Sequence, residues 1–367
     1  MSRADGKERT ETTSSVSAQG NFRRPSIKDI ARMARVTHPT VSRALRYSPL
    51  VHPRTAERIR KIASEAGYQA SAVARGLVMR RTRTIGLVVT TIADPFISGV
   101  VRGAEQTARD LGYNVMLADS NADPVREQKI VQSFAEQRLD GIIVTSSRVG
   151  ALYLPMLEAM RVPIMLVNNQ YPGPFVHAVM IANIEGTRAV VRHLIELKHR
   201  RIAYIGDQFG YQSDVERMSG YREALQASRI PVQPEFVVYG DSRTEAGARA
   251  MNQLLDLDQP PTAVCCYNDM TALGAMHAIN ARRLRVPEDI SVTGFDDLFF
   301  APYTHPPLTT VRQPVHLMGQ LAMENLVKLI SGEESVAQVR VEAELVIRQS
   351  TGLAPTGIQK RQKSKRC

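Results

Sequence analysis

The 367-residue chain has no tryptophan and only three cysteines, Cys265, Cys266 and Cys367. Two of these are sequence neighbours and the third is the last residue, so no disulfide framework can be drawn and a reducing, cytoplasmic setting is expected. Cys265 and Cys266 read as small buried hydrophobes. No run of about 18 uncharged apolar residues occurs, which argues against a membrane-spanning helix. The opening MSRADGKERTETTSSVSAQG has no apolar core for a signal peptide, so export is not expected. Catalytic signatures are missing too. There is no GxxxxGKS phosphate loop, no GxGxxG, no GxSxG elbow, and the eight His show neither HxH nor HExxH spacing. The adjacent carboxylates Asp296 and Asp297 point in different directions and have no nucleophile placed beside them. No catalytic residue, metal or cofactor is therefore expected.

Charge, by contrast, is abundant and unevenly placed. Residues 1–83 carry 18 basic and 6 acidic residues, residues 357–367 carry 5 basic and none acidic, and the stretch between them holds 24 basic and 30 acidic. A basic head on a mildly acidic body points to a polyanionic partner for the head, with nucleic acid first among the candidates. The basic tail could touch phosphates or simply be solvated.

Residues 1–25 are polar and poor in apolar side chains, which reads as a disordered arm. Three short helical patterns follow. SIKD places Ser26 and Asp29 for a capping box ahead of the stripe Ile27, Ile30, Ala31 and Ala34. A second helix opens at Thr37 and buries Val41, Ala44 and Leu45. A third opens near Pro53 and buries Ile59, Ile62 and Ala63. From Thr84 the pattern changes to apolar runs, 84–90, 114–118, 141–145, 163–167, 201–206, 262–267 and 290–295. Amphipathic helices are expected near 97–111, 125–138, 186–197, 215–227, 243–255, 270–282 and 315–331. Near-continuous apolar strands between helices indicate parallel sheets covered on both faces, and about 270 residues of this pattern call for two lobes.

On the second helix Pro39, Ser42, Arg43 and Arg46 follow i, i+3, i+4, i+7 spacing opposite Val41 and Leu45, with Thr37, His38 and Thr40 at its N-terminal end. The same residues would serve an ordinary solvated face. The surrounding positive charge favours a helix laid in the DNA major groove, with Arg43 suited to a bidentate guanine contact.

The segment SIKDIARMARVTHPTVSRALRYSPLVHPRTAERIRKIASEAGY, above all TVSRAL, resembles the head of the LacI family of transcription regulators. IGLVV, DPF, DGIIV, GTRAVVRHLIELKHRRIAYIG, SGYREAL, YNDMTALGAM, ISVTGFDD and PPLTTVRQP then resemble family segments in family order, over about residues 26–351. The resemblance implies an α/β fold: an all-α helix-turn-helix head followed by a two-lobed periplasmic-binding-protein-like body with parallel sheets. It implies a DNA-binding domain at 26–70, a hinge helix and linker at 71–82 and a two-lobed effector-binding and dimerisation domain at 83–355, between the disordered arm at 1–25 and the basic disordered tail at 356–367 that composition marks. Thr37, His38, Pro39, Ser42 and Arg43 then lie in or beside the groove of a pseudo-palindromic operator read by a homodimer. Arg35 stands where the family usually has Gly, so that turn must accept a Cβ, and Pro39 has no side-chain donor for base readout. His52 replaces a common capping Ser, and Lys198 a helix-ending Gly.

In the body the resemblance places Phe96, Asn168, Arg217, Asn268, Asp296 and Gln313 near an effector cleft. Paired amides, one Arg, one carboxylate and an aromatic ring suit a sugar, while a purine or sugar-phosphate effector fits the same architecture. Independently, Asn168, Asn268 and Asp296 follow strand C-termini, where open α/β sheets bind ligands. A single Asn after a strand can equally be a loop cap, and Asp297 reads as structural. A solute-binding protein for sugar uptake would share the body but have no use for the basic head.

The stretch SAVARGLVMRRT, 71–82, is too greasy for a linker and too short to be stable as an isolated helix. The resemblance identifies it as the hinge, with Leu77 wedged into the DNA minor groove and Ser71, Val73 and Ala74 on the neighbouring surface; a linker packed on the body is the plain alternative. Leu77→Ala is expected to weaken operator binding and leave effector affinity nearly unchanged. Parallel titrations with DNA and effector check this, and equal losses in both reject the wedge.

Overall fold

The computed structural model describes residues 25–68, 81–147, 149, 162–169, 177–334 and 338–355. The arm up to residue 24, the tail from 356 and the hinge positions Ser71, Val73, Ala74 and Leu77 lie outside the described residues. The chain divides into two compact units between Arg80 and Arg81.

The first unit holds three helices, α1 (Ile27–Met33), α2 (His38–Leu45) and α3 (Pro53–Glu65). Ser26 and Asp29 form the expected capping box: the Asp29 backbone N–H donates to Ser26 Oγ at 3.3 Å, and the Ser26 backbone N–H donates to Asp29 Oδ2 at 2.9 Å. The helices meet on Ile30, Ala34, Val41, Ala44, Ile59 and Ala63, all buried, while Ile27, Leu45 and Ile62 pack on the rim of that core. Full burial of a side chain such as Ile59 contributes about 1.5–3 kcal/mol. From α3, Arg58 Nη2 donates to the Ala34 carbonyl at 3.0 Å, satisfying an oxygen at the end of α1. Arg35 takes φ 51° in the turn between α1 and α2, the left-handed backbone anticipated at a position that usually carries glycine.

The second unit carries two parallel sheets and a small antiparallel pair of strands. The first lobe contains β1 (Thr84–Val89), α4 (Pro95–Asp110), β2 (Asn114–Asp119), α5 (Pro124–Glu136), β3 (Gly141–Thr145), β4 (Ile164–Val167) and β5 (Ala178–Ile181). The second contains α6 (Asn183–Glu196), β6 (Ile202–Asp207), α7 (Gln212–Ala227), β7 (Val237–Gly240), α8 (Thr244–Leu255), β8 (Ala263–Cys266), α9 (Asp269–Ala281), β9 (Ser291–Thr293) and β10 (Thr310–Arg312). The chain then returns to the first lobe with α10 (Val315–Ser331) and β11 (Gln338–Val341), and ends in the second with β12 (Glu344–Val346). Strand order is β11-β5-β4-β3-β1-β2 in one sheet and β7-β6-β8-β9 in the other, with β10 and β12 an antiparallel pair.

β1, β3, β4, β6 and β8 are buried almost throughout, as continuous apolar runs require. β2 differs from that expectation. Among the described residues it pairs only with β1, at the sheet edge, and Met116 and Leu117 are exposed. Strands β5, β7, β10, β11 and β12 have no counterpart among the sequence expectations; β7, β11 and β12 are half-exposed and carry no continuous apolar run of the kind that marks β4, β8 and β9. The start of this unit is pinned by Asp140, whose carboxylate accepts from the Thr82 backbone N–H at 2.6 Å and the Arg83 N–H at 3.0 Å.

Lys198 ends α6 at φ 72°, where a side chain costs about 1–2 kcal/mol, part of which glycine would lose again through its freer unfolded chain. Lys198→Gly is expected to stabilise the second unit by about 1 kcal/mol, read as a higher urea midpoint with an unchanged slope.

Candidate functional site

Two surfaces carry the residues singled out from sequence. The first is the outer face of α2. His38, Pro39, Arg43 and Arg46 are exposed along with the N-cap Thr37, and Thr40 and Ser42 are half-buried. Thr37 and Thr40 share a hydroxyl–hydroxyl hydrogen bond of 2.9 Å, and Arg46 Nε donates to the Ser42 carbonyl at 3.2 Å. No acidic side chain lies on the helix. Its N-terminal dipole, its polar rim and the unspent guanidinium of Arg43 therefore form one electropositive face suited to an anionic groove.

The second surface lies where the chain passes between the lobes. Arg217, on α7, is 3% exposed. Its Nε donates to Asn183 Oδ1 at 2.9 Å and its Nη1 to the Tyr267 carbonyl at 2.5 Å. Its guanidinium carbon sits 3.7 Å from the Phe295 ring centroid and 4.6 Å from that of Tyr267. Gln313 Nε2 donates to Asp296 Oδ1 at 2.6 Å, and Gln313 Oε1 is buried with no hydrogen-bond partner among the described residues. Asp296 holds φ 130°, a strained backbone fixed on both sides: its N–H donates to the Val311 carbonyl and its own carbonyl accepts from the Gln313 N–H. Burial pushes its carboxyl well above the ordinary carboxylate range. The Arg217 charge opposes that shift, and the Asp269 and Asp94 charges reinforce it. Asp94 caps α4 by accepting from the Phe96 N–H at 2.9 Å, so Asp94 and the buried Phe96 bring the first lobe to the same place.

The structure thus gathers Phe96, Arg217, Asp296 and Gln313, and adds Asp94, Asn183, Tyr267, Phe295 and Asp269, which were not anticipated. Asn183 was hidden because β5, the strand before it, was not recognised. Tyr267, Phe295 and Asp269 were in view as neighbours of Asn268 and Asp296, and alternation along the strand ends could have flagged them. Asn268 is a helix cap: its Oδ1 accepts from the Thr271 N–H at 2.8 Å and its Nδ2 donates to the Ser242 carbonyl at 3.1 Å. Its side-chain groups are engaged within the fold, because a helix starts directly beside it. Asn168, buried at the end of β4 with φ 52°, donates its backbone N–H to the Val179 carbonyl. Asp297 is structural, paired with Arg312 at 2.8 Å and Arg348 at 2.6 Å.

Asp269 holds the loop that presents Asp296. Its Oδ1 accepts from Thr310 Oγ1 at 2.5 Å and its Oδ2 from the Leu298 N–H at 2.7 Å. Burial raises its carboxyl to about 6, with those two hydrogen bonds opposing the shift. An unfolded aspartate titrates near 3.9. Between these values the folded state binds more protons, so this residue's contribution to stability grows as pH falls through 6 and is complete below about 4. Lowering the pH from 7 to 5 is expected to favour the wild-type fold over Asp269→Asn by about 1 kcal/mol more than at pH 7, measured by urea unfolding at both values.

Residues 26–71 match the bacterial regulatory proteins of the lacI family, and residues 191–351 match a periplasmic binding protein-like domain. The HTH-type transcriptional repressor CytR of Escherichia coli (strain K12) is 36% identical over 332 residues, covering 90% of this chain and 97% of its own. The probable HTH-type transcriptional repressor ExuR of Bacillus subtilis (strain 168) is 36% identical over 331 residues, 89% of this chain and 98% of its own. Among solved structures, the lac repressor dimer bound to operator and the anti-inducer ONPF aligns with a TM-score of 0.81 at 28% identity, over 89% of this chain and 99% of that one. The CelR–cellobiose complex aligns with a TM-score of 0.68 at 34% identity, over 89% of this chain and 100% of that one. Both compact units, the helical head and the two-lobed body, fall within these alignments: the chain belongs to the lacI family of bacterial regulatory proteins.

Proposed function

We propose that this protein is a transcriptional repressor whose hold on a pseudo-palindromic operator is set by a sugar bound at Arg217, Asp296 and Gln313. Two copies of the basic unit lay α2 in successive major grooves, with His38, Pro39, Ser42 and Arg43 at base edges and the 71–82 segment as hinge. The observation that carries the effector assignment is the buried, unpartnered Oε1 of Gln313 beside the Asp296 carboxyl. A buried acceptor left without a donor costs about 1–3 kcal/mol, and a ligand hydroxyl supplies that donor. Arg217 Nη2 and Asp296 Oδ2, which make no hydrogen bond among the described residues, offer one donor and one acceptor to neighbouring hydroxyls, and the Phe96 ring offers an apolar face. The CelR–cellobiose complex, a relative holding a sugar, supports the same class.

A homodimer is supported by apolar side chains left in water on the second unit. Met116 and Leu117 lie on the edge strand β2, and Phe299 and Tyr303 stand out after β9; a second copy would bury such patches. A cytoplasmic, non-catalytic role follows from the repressor assignment, and among the described residues no helix is long and apolar enough to cross a membrane.

A thermal-melt screen of neutral sugars, nucleobases and sugar phosphates tests the effector. A bound sugar at 100 times its Kd is expected to stabilise the protein by about 2.7 kcal/mol and to change its DNA affinity. Gln313→Met should abolish that shift while leaving sugar-free DNA binding intact. A response confined to nucleobases or sugar phosphates rejects the sugar.

A further inference from the structure

Tyr47 closes the turn after α2 and joins three properties that do not belong together in a residue serving the fold alone. Its backbone is left-handed, φ 55°, a conformation that strains a bulky side chain. Its side chain is 77% exposed, so no core burial offsets the strain. Its ring has one partner among the described residues, the guanidinium of Arg60 on α3, 4.6 Å from the ring centroid, and its hydroxyl makes no hydrogen bond there. Glycine would close the same turn without strain. A large aromatic kept in a costly conformation and presented to solvent signals a role outside the unit.

Position says what that role is. Tyr47 follows the C-cap residue Arg46, at the end of α2 opposite to His38 and Pro39. A helix that sets its N-terminal turn on base edges carries its far end out towards the sugar-phosphate strand, where Tyr and Arg side chains and backbone N–H groups make most contacts. Residues 25–68 hold nine Lys or Arg against three Asp or Glu, so the surroundings are complementary to phosphate. Stacking also spends the ring face of Tyr47 on Arg60 and leaves the hydroxyl and the guanidinium N–H groups as donors for a partner.

We propose that Tyr47 and Arg60 form a stacked clamp for one DNA phosphate, adding affinity without sequence preference. This rests on DNA being the partner of the first unit. In the clamp, Arg60 supplies the charge and Tyr47 a neutral donor, while the ring fixes the guanidinium plane.

The test uses the full chain and two labelled duplexes, one of random sequence and one selected by the wild-type protein from a random pool. Tyr47→Gly is expected to melt higher than wild type yet bind both duplexes roughly 3- to 10-fold more weakly. Tyr47→Phe should melt like wild type and lose affinity on both by a similar factor. Arg60→Gln should lower the slope of log affinity against log salt by about 1 on both. A Tyr47→Gly protein that gains stability and binds both duplexes as before would make Tyr47 a turn residue only. A loss confined to the selected duplex would make it a base reader, and also overturns the clamp. If the wild type selects no sequence and shows no salt-sensitive duplex binding, the DNA assignment itself falls before any variant is compared.

Discussion

A guanidinium held almost entirely out of water must have its donors met, and the second unit is arranged around that requirement at Arg217. Its partners come from three strand ends: Asn183 after β5, the Tyr267 carbonyl after β8, and the Phe295 ring after β9. These contacts fix where the strand ends sit relative to one another. The positive charge also makes Asp296 tolerable where it lies, because Asp94 and Asp269 would otherwise repel it without compensation. A buried charge such as Arg217 is weak evidence for stability and better evidence for placement. What it places is a set of donors and acceptors that the fold leaves partly unspent.

The partial satisfaction follows from topology. The C-terminal ends of parallel strands leave backbone and side-chain groups facing a crevice, and the three passages between the lobes, after β5, before α10 and after β11, run beside that crevice. Gln313 lies on the passage before α10 and is hydrogen-bonded to Asp296, whose strained backbone is held by Val311 and Gln313. A ligand joining Phe96 of one lobe to Arg217 of the other would bear directly on the segments that set lobe closure. Binding at the proposed site would couple to shape through residues that touch both lobes.

The first unit follows a different economy. Its core is small, about nine buried side chains on three helices, and local devices carry a large share: the Ser26–Asp29 box, the Arg58 bond to Ala34, and Pro39 and Pro53 in first helical turns. With so little core, every exposed position on α2 is free to be basic or polar, and Tyr47 and Arg35 sit in left-handed turns. The charge asymmetry along the chain expresses the same division.

Much of this was legible in the sequence. Periodicity placed α1 to α3, the long helices and the buried strands to within a few residues, because one amphipathic stripe or one continuous apolar run is a local property. Arg35 and Lys198 were singled out as residues standing where glycine is usual, and both take left-handed backbones. The strands β5, β7, β10, β11 and β12 were not foreseen, since pairing partners far away in sequence create them and β7, β11 and β12 lack the continuous apolar run that marked the others. Arg217, Asp296 and Gln313 were identifiable by resemblance, but their hydrogen bonds and the orphaned Gln313 oxygen were not. Asn268 shows the limit most plainly: its residue type suits a ligand contact or a helix cap, and only the start of α9 beside it shows that its amide is engaged in a cap. Sequence alone determined the fold class, the division into a basic head and an acidic body, and the helix faces, all set by local pattern and charge. Tertiary structure alone decided which polar groups are spent on the fold and which remain for a partner, because that depends on contacts between strand ends dozens of residues apart.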